Sequence, residues 1–168
     1  MTTWKQASQR ALYSGGAAAV LSALALAICG KLERNSPGAP LNGPSQWVWG
    51  TPAAYRRGAS FRHTVLGYCI HHVASVGWAT VHEKHFASRL RGTDLLPHLV
   101  AGAVTATLAC IVDFRVARGR MQPGFDKQLS RASLALVYMS FGLGLAMGCT
   151  SRAMSPRSRP PACQAPGE

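Results

Sequence analysis

Leu95-Leu96-Pro97-His98-Leu99-Val100-Ala101-Gly102-Ala103-Val104-Thr105-Ala106-Thr107-Leu108-Ala109-Cys110-Ile111-Val112 runs for eighteen residues without one Asp, Glu, Lys or Arg. As a helix at 1.5 Å per residue it reaches ~27 Å, close to the hydrocarbon thickness of a bilayer. Its apolar residues do not alternate with period two, so a barrel strand is excluded and a helix is predicted. Working outward, residues 64–81, 132–149 and 11–30 are equally free of charge. All 18 Lys and Arg and all 6 Asp and Glu lie outside these four windows. A soluble helical domain would carry charges on the outer faces of its helices, so this segregation points to membrane. The mean hydropathy of +0.07 conceals the pattern, because long polar connections dilute the apolar runs.

The predicted fold is all-α. It is a four-transmembrane-helix bundle, up-down-up-down, with helices at about 11–30, 64–81, 95–112 and 132–149. A polar N-terminus (1–10) precedes this membrane domain (11–149), and a disordered, basic, Pro-rich tail (150–168) follows it. The first window has an alternative reading. Lys5 and Arg10 before an apolar stretch, with small residues at Ala23, Ala25 and Ala27, resemble a signal peptide. The charged stop Lys31-Leu32-Glu33-Arg34 favours a retained helix. The connection 31–63 is expected to be irregular, since Ser36-Pro37-Gly38-Ala39-Pro40 and Asn42-Gly43-Pro44 are breaker clusters. Trp47 and Trp49 suit either the headgroup level or the end of the bundle. Asp94 is the expected cap of the third helix and Asp126 of the fourth.

With an even number of crossings the termini share a side. That side holds eight Lys and Arg against ten on the other, a weak lean toward cytoplasmic connections and external termini. The net charge of +12 fits anionic lipid headgroups, and no nucleic-acid motif is present. The expected partners are therefore the lipid bilayer, with its anionic headgroups, and a second copy in a homo-oligomer. Small residues at four-residue spacing mark packing faces: Gly67 on the second helix, Gly102 and Ala106 on the third, Gly144 and Gly148 on the fourth. Leu145 is expected off that face. Five scattered cysteines without a C-x-x-C read as apolar filler.

Histidine is the informative polar residue. His71 and His72 fall midway along the second helix, where an imidazole needs a partner or a cavity. With Ser75 they form a candidate intramembrane polar site, and His71 shares its stripe with Gly67, Ser75, Trp78 and His82. His72 points about 100° away. Haem ligation wants a second axial His at the same depth, and helices one and four contain none. His82, Glu83, His85 and His98 form a candidate divalent-metal set where the second and third helices meet. The string His-Glu-x-His is one residue short of H-E-x-x-H. No nucleophile elbow or phosphate loop is present, and no catalytic residue is assigned.

Arg62-His63-Thr64, Gly67-Tyr68 with His71-His72, Trp78-Ala79 before Glu83, and Pro123-Gly124-Phe125-Asp126 before Leu129-Ser130 resemble small bacterial four-helix inner-membrane proteins of unknown function. The resemblance spans about residues 11–149. It implies a bacterial inner-membrane location and carries no activity, ligand or partner. The leading expectation is a non-enzymatic accessory or structural membrane protein without a cofactor. The alternatives are a His-dependent haem- or metal-binding protein of electron transfer, and a small oligomeric transporter.

Overall fold

The computed structural model describes residues 2–87, 89–90 and 94–153, the last four by backbone alone. Residues 154–168, most of the expected disordered tail, lie outside them. The regular elements of the described residues are all helical, without a strand. The four long helices are α1 (Trp4–Arg34), α2 (Leu66–His82), α3 (Leu95–Ile111) and α4 (Arg131–Ala153). Three stretches are long and apolar enough to cross a membrane: Trp4–Arg34, Leu95–Val116 and Arg131–Cys149.

α1 begins earlier than expected, inside the supposed polar start. Thr3 accepts from the Gln6 amide and Gln6 returns a bond to the Thr3 amide, both at 3.2 Å. This reciprocal cap satisfies two of the orphan donors of the first turn and lets Lys5 and Arg10 ride on a helix. At the other end Asn35 closes the helix in the left-handed region (φ 53°). α2 is flanked by two wide helical turns, Phe61–Val65 and Glu83–Ala87. Asp94 occupies the cap position of α3, but its side chain makes no capping bond. Asp126 does not cap α4 either. It pairs with Lys127 at 2.7 Å, and Ser130 takes the cap by accepting from the Ser133 amide at 3.3 Å. Glu33, at the end of α1, accepts from the Ser130 amide and hydroxyl, each at 2.7 Å. A carboxylate thus sits at the positive end of α4.

α1 is the central helix, packed on both α2 and α4, and α3 leans on α4. The contacts are antiparallel. A Cβ at Gly144 would lie 2.5 Å from the Cα of Ala18, and one at Gly148 would lie 2.5 Å from the Cα of Ser14. A four-residue advance on α4 is a four-residue retreat on α1. Gly102 meets Gly142 backbone to backbone, beside Ala106, where α3 crosses α4. Gly67 is pressed instead against the carbonyl of Leu41, in the connection. Leu145, expected off the packed face, is fully buried in the core beside Ala11, Ala18 and Phe141. Among the cysteines, Cys29 is buried as filler, but Cys69 is exposed.

The connection after α1 is not irregular. It folds as short helical turns, Gly38–Leu41, Gly43–Ser45, Gln46–Trp49 and Thr51–Tyr55. Asn42, fully buried, holds them by donating to the carbonyls of Arg56 (2.9 Å) and Gly58 (3.0 Å) and accepting from Thr64 (2.6 Å). Gln46 and Trp47 both donate to the carbonyl of Gln122, at 2.7 and 3.1 Å, so the two long connections lock together. Trp49 lies under the Arg62 guanidinium, 4.0 Å from the ring centre.

Candidate functional site

The interior is polar and small, and the exterior is large and apolar. Ser14, Ser22, Ser75, His82, Glu83, His98 and Thr105 are buried among alanines. Leu12, Val20, Leu24 and Ile28 of α1 face outward, as do Val100, Val104, Leu108 and Ile111 of α3 and Leu136, Met139, Leu143 and Met147 of α4. This arrangement fixes where polar chemistry can occur: between helices, at two levels.

The first level is His71. Its Nε2 lies 2.9 Å from Ser22 Oγ on α1. The Ser22 hydroxyl spends its one proton on the Ala18 carbonyl at 2.7 Å, so the imidazole carries the proton at Nε2 and donates to the serine. Ser75 does not join this pair, because its hydroxyl donates to the backbone carbonyl of His71 at 2.8 Å. His72 faces another way, with Nδ1 3.5 Å from the Tyr68 hydroxyl, Oη, on its own helix. The expected trio therefore reduces to His71, and the partner that completes it is Ser22. A small Ser in an Ala-rich helix gave no cue beyond its spacing. His71 also lines a cavity of about 760 Å³ between α2 and α3, with Trp78, Phe141 and the Asp113–Tyr138 pair. Tyr138 donates to Asp113 at 2.6 Å across the α3–α4 contact.

The second level is where α2 ends. The four candidate metal residues point in three directions. Glu83, almost fully buried, turns toward α1 and α4, where Ser14 donates to it at 2.9 Å and Cys149 Sγ at 3.4 Å. His85 is on the outside, edge-on to Trp4 at 6.1 Å between ring centres. His82 and His98 turn inward between α2 and α3. His82 Nδ1 is 2.9 Å from Thr105 Oγ1, whose proton goes to the Ala101 carbonyl at 3.0 Å. Among the described residues no group of three or more His, Cys, Asp or Glu side chains is placed to hold a metal ion. Neighbouring Lys84 reaches over Trp4 to the carbonyl of Thr2 at 2.7 Å, tying this end of α2 to the start of the chain.

Outside the long helices, His63 is buried beside Ser45, with its Nδ1 3.4 Å from the hydroxyl. Burial, with help from Arg56 and Arg62, holds its pKa below the ordinary histidine value. No family model matches the chain, and no curated protein or solved structure is similar to it.

Proposed function

We propose that the chain is an integral membrane protein with four spans, α1 to α4, acting as a non-enzymatic accessory or structural component. The observation that carries the reading is the inverted surface: Leu, Ile, Val and Met outside, Ala, Gly, Ser, His and Thr inside. In water such a continuous apolar belt would drive aggregation. In lipid it is the natural exterior, and small interior residues are what allow helices to associate. α2 belongs to the set although it is shorter, at 17 residues. It has no charged side chain between Leu66 and His82, and its flanking helical turns lengthen it at both ends. A bacterial inner membrane suits the resemblance and the basic ends of the helices, which suit anionic headgroups.

The Ser–His contact between the spans, Ser22 with His71, keeps the serine proton on the Ala18 carbonyl rather than on the imidazole, which favours an assembly role over catalysis. Membrane fractionation with alkaline carbonate tests the first half of the proposal: the chain should stay in the pellet, and release to the supernatant would reject it. The mass of the detergent-solubilised protein tests the second. A structural or accessory role predicts more than one copy or a co-purifying membrane protein, whereas a lone chain in its micelle argues against it.

A further inference from the structure

α3 and α4 meet backbone to backbone at Gly102 and Gly142, near the middle of the apolar stretches Leu95–Val116 and Arg131–Cys149. An open groove of about 910 Å³ runs between the two helices from this crossing to the end that holds Arg115 and Arg131. Its walls are Ala103, Thr107 and Ile111 on one side and Leu134, Ala135 and Met139 on the other. The hydroxyls along it are already spent. Thr107 donates to the Ala103 carbonyl at 2.9 Å, and Tyr138 donates to Asp113 at 2.6 Å. The length of the groove is therefore apolar in effect, and its charge is gathered at one end.

Arg115 follows Gly102 by thirteen residues, in the wide turn that extends α3, and Arg131 precedes Gly142 by eleven. At 1.5 Å per residue both positions stand ~17–20 Å from the crossing, at a common level. That depth is about half of the ~40–45 Å of a bilayer with its headgroups, the depth of one leaflet. Both side chains are exposed, and neither has a carboxylate partner among the described residues. Asp126 lines the same end, but Lys127 holds its carboxylate at 2.7 Å, so it does not cancel the two guanidinium groups. Around them this end of the bundle carries ten Lys and Arg against Glu33, Asp113 and Asp126. Arg131 is also the first residue of α4, where a cation works against the helix dipole and an anion would be favoured.

We propose that the α3–α4 groove is a discrete site for one anionic phospholipid, its phosphate between Arg115 and Arg131 and its acyl chain along the groove toward the Gly102–Gly142 crossing. Basic pockets between membrane helices hold lipid headgroups in this way. A second copy docking through the same face would bring its own pair of guanidinium groups, on a chain of net charge +12, against these two. A soluble anion would match the arginines and leave the apolar walls uncovered. The inference rests on α3 and α4 lying in a bilayer. Its failure would leave the carbonate extraction untouched, so the two readings fall separately.

The test is native mass spectrometry of the full-length, detergent-solubilised chain titrated with phosphatidylglycerol or phosphatidylcholine carrying the same acyl chains. One phosphatidylglycerol per chain is expected, saturably, with a preference of about twentyfold, roughly fivefold for each Arg at the headgroup level. Arg115→Gln/Arg131→Gln should remove the preference. Arg57→Gln/Arg120→Gln, which deletes as much charge from the same end outside the groove, should keep it. Ala135→Phe fills the groove without touching a charge and should weaken binding about tenfold. Inorganic phosphate should not displace the lipid. Should Ala135→Phe fail to fold, the two Arg double variants, altered at exposed side chains, still decide. Equal binding of the two lipids, equal loss in both double variants, full binding by a folded Ala135→Phe, or displacement by inorganic phosphate overturns the proposal.

Discussion

Ser22 decides what His71 is for. The serine keeps its carbonyl partner on α1 whether or not the imidazole is present, so removing the ring costs one interhelical bond and leaves no orphan hydroxyl. His71→Leu should therefore destabilise the detergent-solubilised protein by about 1 kcal/mol, in the range of polar contacts between membrane helices. His72→Leu should cost less, since its contact with Tyr68 is long and lies within one helix. Chemical denaturation in mixed micelles measures both, and equal losses would show that the Ser22 contact contributes nothing. A second residue has a pH signature. With its folded pKa held low, His63 binds a proton less readily in the folded chain than in the unfolded one. Stability is then complete above the ordinary value, about 6.5, and falls as pH drops from there toward the lower folded value. His63→Gln should flatten that slope between pH 6.5 and 5. An unchanged slope would assign the acid sensitivity elsewhere.

Among the elements, the α1–α4 contact is the most extensive and the most readily tested. Gly144 and Gly148 face backbone atoms of Ala18 and Ser14, which cannot move aside as a flexible side chain would. Gly144→Leu should lower stability by about 3 kcal/mol or more, at or beyond the upper end for overpacking. Gly77 has nothing within 4 Å of where a Cβ would stand, so Gly77→Ala should be neutral or slightly stabilising through helix propensity. Thermal unfolding in detergent compares the two. A silent Gly144→Leu would mean that α4 does not pack on α1 through this face. Leu145 is no mild control, being fully buried. Its misreading shows where sequence patterns fail. A stripe of glycines marks one direction on a helix, but α4 packs on α1 and α3 together and so buries a wider arc than the stripe spans.

At the scale of the whole molecule, charge segregation made the helices legible, because in lipid the apolar run itself is the element. What stayed hidden was whatever depended on contact between distant segments. Breaker residues in 31–63 suggested an irregular loop, yet buried Asn42 and Gln46 organise it into turns locked onto the second connection. Asp126 looked like a cap, but Glu33, nearly a hundred residues away in sequence, meets the start of α4 instead. The candidate site was legible as histidines and not as partners: Ser22 and Thr105, which set the two tautomers, are ordinary small residues in apolar helices. The antiparallel contacts place Thr2, Lys84 and Cys149 at one end and Glu33, Gln122 and Ser130 at the other. If all four helices cross, the two termini share one side of the membrane and both long connections share the other. Paired reporter fusions in the full-length chain, after residues 5, 58, 90, 120 and 160, measure this directly. The account predicts one compartment for 5, 90 and 160 and the opposite compartment for 58 and 120. Reporters at 5 and 160 in opposite compartments, or at 58 and 90 in the same one, would contradict the four-span bundle.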